Sequence, residues 1–324
     1  MLIDTHAHLV PPSLTAAIRS DAARFPSVRL VKQEGALAFS FAGAKPTRPV
    51  SRPLGDIAAR VAWMERNGID RQVVGGWVDM FGYELPAAEG TAWAQLVNAH
   101  LAAAAEAEPR FVPLATVPLQ DGAAAAEVLR AAIAAGFPGV MIGTLPRGAG
   151  SVLDTPDLAP FWQAAHDSGA VVHIHPSFDA GDARVNDYGL ANAVGRITDA
   201  LIAVSRLIAA GHIARYAGAR IVVPMGAAGL PFLLGRLARN RAITPGLGDP
   251  AEALRHIYTD TIVHDPRVLR FVVDTMGAGR IMLGSDMPFP IGDAVPAGIV
   301  EAAGLSPAEA ASIAGGLART LFRL

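Results

Sequence analysis

Eight short apolar segments recur along this chain of 324 residues, and Ala-rich stretches with helical periodicity separate most of them. Such an alternation is typical of a parallel α/β fold, in which each helix returns the chain to the start of the next strand. We predict core strands at residues 2–5, 71–75, 111–116, 139–142, 171–175, 220–223, 256–260 and 281–284. Eight such units indicate a (β/α)8 TIM barrel, formed as a single domain over residues 1–324.

One segment, at about residues 11–52, interrupts the repeat between the first strand and its helix. Inside it, residues 28–31 and 37–41 flank Glu34-Gly35, which predicts a small β-hairpin. Because barrel active sites form at the C-terminal ends of the strands, we expect this insertion to cover that face. Among the barrel helices, we predict one at residues 92–107 and one at 123–135, with Gly136 as the stop of the second.

The composition excludes several classes of function. A formal net charge of −2 provides no basic field for nucleic acid or an anionic membrane. Hydrophobic residues make up 52% of the chain. However, no uncharged apolar run reaches about 18 residues, the rough length that a membrane-spanning helix needs. Cysteine is absent, so disulfides, thiolate ligands and a cysteine nucleophile are excluded. The start of the chain has no basic stretch before an apolar one, and we therefore expect a cytoplasmic enzyme without a membrane partner.

The first predicted strand ends in two histidines, His6 and His8. Alternate residues of a strand point to one side, so both imidazoles can point into the barrel mouth. Neutral imidazole is a good ligand for zinc and similar ions. Two ordinary packed histidines would also fit this spacing, but the position after an apolar strand favours a metal site.

Two later strands end in further candidate ligands. Residues 171–176 contain His173 and His175, and residues 281–286 end in Asp286. An aspartate after a strand can instead cap a helix. The next residues, Met-Pro-Phe-Pro at 287–290, disfavour immediate entry into a helix.

This order of a His-x-His strand, a strand-end His and a strand-end Asp resembles the amidohydrolase superfamily. Within it, the chain is similar to α-amino-β-carboxymuconate-ε-semialdehyde decarboxylase and related non-oxidative aromatic-acid decarboxylases, nearly end to end. The most specific stretches are residues 4–8, 47–50, 79–83, 115–121, 230–236 and 283–293. The resemblance implies one divalent metal, usually zinc and with manganese also compatible, held by His6, His8, His175 and Asp286. The fourth strand has no Lys or Glu to bridge two ions, which favours a single one.

The resemblance also implies residues that recognise the substrate. Arg48 would bind a substrate carboxylate through two parallel hydrogen bonds, although a solvated loop arginine is the plain alternative. Arg236 would reach into the site of a neighbouring subunit, which makes the active unit a homodimer. Phe289 follows Asp286 closely and would line the pocket, with ordinary core packing as the alternative.

One position departs from the family pattern. Relatives carry a histidine at the end of the sixth strand, usually followed by glycines, and here Met225 stands in its place. A thioether cannot exchange a proton near neutral pH. Two other histidines are candidates to compensate: His173, one layer deeper in the barrel, and His264, after the seventh strand. A packed core histidine and a surface loop residue are the respective alternatives.

Three functions are compatible with these residues. The first is a metal-dependent non-oxidative decarboxylase acting on a hydroxylated aromatic, heteroaromatic or muconate-type carboxylic acid. With Met225 in place of histidine, we expect the substrate itself to chelate the metal and Asp286 to carry the proton. The second is a metal-dependent hydrolase of a lactone, amide or related bond, which the missing histidine disfavours. The third is a metal-free binding protein, which the four retained ligands disfavour.

Overall fold

The computed structural model of the protein describes residues 1–33, 35–177 and 182–324. Its strands are β1 (Ile3–Leu9), β2 (Val28–Gln33), β3 (Ala36–Phe41), β4 (Arg71–Gly76), β5 (Phe111–Pro113), β6 (Gly139–Gly143), β7 (Val171–His175), β8 (Arg220–Val222), β9 (Ile257–Asp260) and β10 (Ile281–Met282). Eight of them, β1 and β4 to β10, lie where the sequence predicts the core strands.

These eight strands form a closed ring. Parallel pairing joins β1, β4 and β5 in one sheet and β6 to β10 in another. At one seam, Ala115 N donates to Gly139 O at 3.0 Å and Met141 N donates to Ala115 O at 2.8 Å. At the other seam, Thr5 N donates to Leu283 O at 2.8 Å. The predicted (β/α)8 barrel is therefore confirmed.

Helices surround this ring. Their bounds are Pro12–Ser20, Arg52–Gly55, Ile57–Arg66, Ala87–Ala107, Gly122–Ala134, Ala159–Ser168, Arg196–Ala209, His212–Arg215, Leu230–Ile243, Pro250–Leu254, Pro266–Met276, Pro296–Ala302, Pro307–Ala311 and Leu317–Phe322. The side chain of Asp121 caps the fifth of these by accepting two backbone N–H groups. Gly136, at a φ of 94°, follows its end as predicted. In the described part of the chain, no helix is long and apolar enough to cross a membrane.

The inner face of the barrel is apolar toward the N-terminal ends of the strands and carries imidazoles toward their C-terminal ends. Ile3, Val73, Met141 and other inward residues form one buried cluster, separate from the larger cluster between barrel and helices. Ala7 belongs to the outer cluster. The register of β1 shifts between Asp4 and Ala7. This irregularity lets Ile3 and the later histidines of β1 point inward, although strict alternation would place them on opposite faces.

The insertion after β1 contains the predicted hairpin. Strands β2 and β3 pair antiparallel from Val28↔Phe41 to Gln33↔Ala36, while Glu34 of the predicted turn lies outside the described residues. The following residues run alongside β3, since Thr47 N donates to Phe39 O at 2.8 Å. This arrangement brings Arg48 to the barrel mouth.

Candidate metal centre

Four side chains converge at the C-terminal end of the barrel. His6 and His8 come from β1, His175 ends β7, and Asp286 follows β10. Their ligand atoms all lie within 4.8 Å of one another. The Nε2 atom of His8 is 3.2 Å from Nε2 of His6 and 3.2 Å from Oδ1 of Asp286. The four residues expected to bind metal are thus brought together.

Each of the three imidazoles is oriented through its other ring nitrogen. Nδ1 of His6 lies 2.7 Å from Oδ2 of Asp260. Nδ1 of His8 lies 3.3 Å from the carbonyl of Gly76, and Nδ1 of His175 lies 2.9 Å from the carbonyl of the next residue, Pro176. An acceptor at Nδ1 holds the proton there and leaves the Nε2 lone pair for a metal.

The donor set fits a single divalent ion. Burial holds the pKa of His175 well below its ordinary value and lowers that of His8, so both stay neutral. Burial raises the pKa of Asp286, but the hydrogen bond with His8 and the charge of His6 outweigh it, and the net shift is downward. Oδ1 of Asp286 is buried and lies 3.2 Å from Nε2 of His8 and 3.6 Å from Nε2 of His6. Burial lowers the pKa of His6, but the hydrogen bond with Asp260 and the charge of Asp286 outweigh it, so the net shift is upward, and a bound ion would displace the proton from its Nε2. Imidazoles and a carboxylate are the ligands that zinc and similar ions prefer.

The strand-end position of Asp286 is not a helix cap. Its backbone N–H donates to His6 O at 2.8 Å, which extends the β1–β10 seam. Its φ of 58° turns the chain sharply after the strand. The next helix begins only at Pro296. The capping alternative is therefore excluded, and the turn directs the carboxylate to the histidines.

Two buried acids that the sequence analysis did not single out support this centre. Asp4 accepts hydrogen bonds from Ser285 N at 3.0 Å, Ser285 Oγ at 2.6 Å and Gln72 Nε2 at 2.8 Å. It thereby ties β1 to the segment that carries Asp286. Asp260, at the end of β9, binds His6. Their position in apolar strands was the available signal, since a buried carboxylate requires partners.

Met225 stands on a left-handed turn. The φ angles are 57° for Met225, 61° for Gly226, 59° for Ala227, 53° for Ala228 and 78° for Gly229. Non-glycine residues in this conformation cost about 1–2 kcal/mol each. Side chains of β9 hold the turn, because Met225 N donates to Asp260 Oδ1 at 2.7 Å. Strain retained next to a ligand cluster is typical of functional sites.

Arg48 and Phe289 lie beside the metal ligands. The Arg48 guanidinium donates to both oxygens of Asp79, at 3.0 and 3.2 Å. It lies 5.3 Å from the ring of Trp77 and 5.9 Å from that of Phe289. The Phe289 ring centroid is 5.3 Å from that of His8. Both candidates therefore line the space above the ligands, with Asp79 as a partner that the sequence did not predict.

The remaining candidates differ in location. His173 is buried, and its ring centroid is 4.7 Å from that of His6. Burial holds its pKa well below the ordinary value, so it is neutral. His264 is exposed in a turn after β9, and Arg236 is exposed on the helix Leu230–Ile243. Neither belongs to the ligand cluster of its own chain, and the roles expected for all three stay predictions.

Arg196 is a charged residue of this region that sequence reasoning missed. It begins the helix Arg196–Ala209 and is only 7% exposed. Burial lowers its pKa, as does the charge of Arg48, while Asp286 and Asp79 raise it. The guanidinium therefore lies within electrostatic reach of the site. The sequence does not predict the direction of a long side chain at the start of a helix.

Comparison with known proteins agrees with this geometry. The chain is 31% identical over 254 residues to the 2-amino-3-carboxymuconate-6-semialdehyde decarboxylase of Dictyostelium discoideum, covering 76% of this chain and 70% of that protein. It is 28% identical over 229 residues to the 6-methylsalicylic acid decarboxylase of Penicillium expansum, covering 66% and 69%. The crystal structure of 5-carboxyvanillate decarboxylase from Sphingomonas paucimobilis superposes with a TM-score of 0.81 at 25% identity, covering 100% and 99%.

The family comparison extends over nearly the whole chain. The model of the Amidohydrolase family matches residues 3–324, from the first residue of β1 to the last residue of the chain. The match includes all four converging ligands. With its closed barrel and its His-x-His, His and Asp ligands, this chain belongs to the amidohydrolase family.

Proposed function

We propose that this protein is a metal-dependent non-oxidative decarboxylase that releases CO2 from a hydroxylated aromatic, heteroaromatic or muconate-type carboxylic acid. The observation that carries the proposal is the position of Asp286. Its carboxylate closes the ligand cluster, with Oδ1 facing the Nε2 atoms of His8 and His6. Arg48 and Phe289 stand beside the same cluster. A site with a proton carrier, a guanidinium beside it and an aromatic wall suits a planar acid. The relatives' named activities agree with this assignment.

The residues perform the reaction as follows. Arg48 orients the substrate carboxylate, and the ring of Phe289 holds the planar body and excludes water. When bound, a divalent ion supplies a Lewis acid that draws negative charge from a substrate oxygen. Asp286 takes a proton from the substrate hydroxyl and delivers it to the carbon that bears the carboxylate. The bond from that carbon to the carboxylate then breaks, its electron pair passes into the conjugated system and onto the deprotonated oxygen, and CO2 leaves. Water returns a proton to that oxygen and restores the hydroxyl.

The same ligands can also lower the pKa of a bound water for hydrolysis. Met225 disfavours that alternative, because no titrating side chain stands at the turn beside Asp260. We therefore keep hydrolysis as an outcome of the test and not as a second proposal.

The test is CO2 release from a panel of hydroxylated aromatic, heteroaromatic and muconate-type acids. We expect metal-loaded protein to decarboxylate at least one of them, and chelation or Asp286→Asn to abolish release. The matched control is His256→Ala, which alters a histidine outside the ligand cluster. Absence of CO2 from every acid would overturn the proposal, and ring opening without CO2 would support hydrolysis.

For the metal, we propose zinc, because three imidazoles and one carboxylate are a common zinc set. Manganese also accepts such ligands. Elemental analysis of protein purified without chelators distinguishes them, and stoichiometric manganese without zinc would contradict the proposal.

We further propose that the active unit is a homodimer. The helix Leu230–Ile243 is exposed along most of its length, with Phe232 81% and Ile243 64% exposed. Exposed large apolar side chains beside an arginine suit a protein interface. Arg236 lies on this helix, and a second copy packed against it would receive Arg236 in its own site.

Mixing two inactive variants tests the shared site. His175→Ala removes a metal ligand, and Arg236→Gln removes the donated guanidinium. In a mixed dimer, one site combines the intact ligands of one chain with the intact Arg236 of the other. Equal mixing should restore about a quarter of the wild-type sites. No recovery from verified mixed dimers would exclude a shared site.

A further inference from the structure

Arg196 is fixed at the barrel mouth by its helix. Three residues further along the same helix, Asp199 accepts the Ser177 N–H at 2.8 Å and the hydroxyl of Thr144. The Thr144 and Ser177 hydroxyls also lie 3.0 Å apart. Ser177 comes two residues after the ligand His175, and Thr144 directly follows β6. The first turn of the helix is thus tied to two strand ends of the ring, on the side where the metal ligands converge.

Two buried or half-buried guanidiniums therefore share one mouth. Arg48 reaches it from the insertion after β1. Arg196 lies buried in the first turn of the helix after β7, within electrostatic range of Arg48, Asp79 and Asp286. Their like charges repel each other. Burial lowers the pKa of Arg196 most, and the charge of Arg48 lowers it further. An anion bound between or beside them relieves this repulsion.

Resting on the proposed function, we propose that Arg196 is a second anion-binding residue, which makes the site selective for substrates with two anionic groups. One carboxylate lies at the ligand cluster beside Asp286 and Arg48. The second group, a carboxylate or an ionised hydroxyl on the same planar body, is bound by Arg196. The guanidinium suits this role because it stays charged when buried and donates two parallel hydrogen bonds.

The experiment compares two unreactive probes on zinc-loaded protein. Isophthalate carries two carboxylates on one ring and benzoate carries one, and calorimetry measures both affinities. We expect wild type to bind isophthalate more tightly than benzoate. Arg196→Gln should weaken isophthalate binding about 10- to 100-fold, since a hydrogen bond to a charged group is lost. Benzoate binding should change by less than about threefold.

Matched variants separate recognition from folding. Arg206→Gln alters an arginine of the same helix that pairs with Asp154 outside the site, and it should keep the wild-type ratio of the two affinities. Arg196→Lys keeps the charge without the planar fork and should retain part of the preference. Equal loss for both probes in Arg196→Gln, or no preference in wild type, would overturn the proposal.

The outcome is independent of turnover. If no acid releases CO2 while the isophthalate preference depends on Arg196, the proposed reaction fails and the second anion-binding residue stands. If monocarboxylates are decarboxylated and no preference exists, only the inference on Arg196 fails.

Discussion

Asp260 joins the ligand His6 to the turn of Met225. Its Oδ2 lies 2.7 Å from Nδ1 of His6, and its Oδ1 accepts the Met225 N–H at 2.7 Å. One buried carboxylate therefore sets both the tautomer of a metal ligand and the strained backbone at the position where relatives carry histidine. Metal affinity and the shape of the mouth are coupled through this side chain.

Asp260→Asn tests that coupling. The amide offers one acceptor oxygen in place of two, so either His6 or Met225 loses its partner. We expect metal affinity to fall about 10- to 100-fold, the usual effect of losing a partner that orients a ligand. Competition with a chromogenic chelator measures it. Asp249→Asn, at the cap of a surface helix, is the control and should bind metal as wild type does.

Met225→His tests the departure from the family pattern. Histidine adopts a positive φ more readily than most side chains, so the variant should fold on the existing turn. A titrating group then stands beside the ligands, and we expect a new ionisation between about pH 6 and 7 in the profile of kcat. Met225→Leu supplies no proton and should keep the wild-type shape of the profile. Identical profiles for all three proteins would show that position 225 does not reach the reacting groups.

Gly284→Ala tests how tightly the strand ends are packed. A Cβ at Gly284 would lie 2.8 Å from Cβ of Asp260 and 3.3 Å from Cβ of His6. We expect it to push these residues apart, at a cost of about 1–3 kcal/mol in folding free energy and with weaker metal binding. Gly279→Ala, where a Cβ meets nothing within 4 Å, is the matched control. Equal melting temperatures for the two variants would contradict this packing.

The ligand set was predicted from the family resemblance, and the positions of its members at strand ends support that prediction. His6, His8, His175 and Asp286 end apolar strands, and the C-terminal ends of parallel strands meet on one face of a barrel. The alternation of apolar and helical segments predicted the strand positions, and the apolar runs on both sides of Glu34-Gly35 predicted the hairpin. His6 and His8 do point to one side as predicted, although the register of β1 shifts between Asp4 and Ala7.

The contacts that the sequence did not predict join residues that are far apart in the chain. The bidentate pair of Arg48 and Asp79 joins residues 31 positions apart, and the contact of Asp260 with His6 spans 254. The helix that carries Arg196 is tied through Asp199 to two other strand ends. No local pattern encodes these partners, because each depends on which loops the closed ring brings together.

Metal removal should lower thermal stability, because the ligands are preorganised in the fold and scattered in the unfolded chain. Zinc at about 100 times its dissociation constant stabilises the folded state by about 2.7 kcal/mol. For a chain of this size, that corresponds to a rise in Tm on the order of 5 °C. We expect calorimetry to show this shift in wild type and in His256→Ala, and to show none in His175→Ala, which lacks a buried ligand. A shift that persists in His175→Ala would place the stabilising ion elsewhere on the protein.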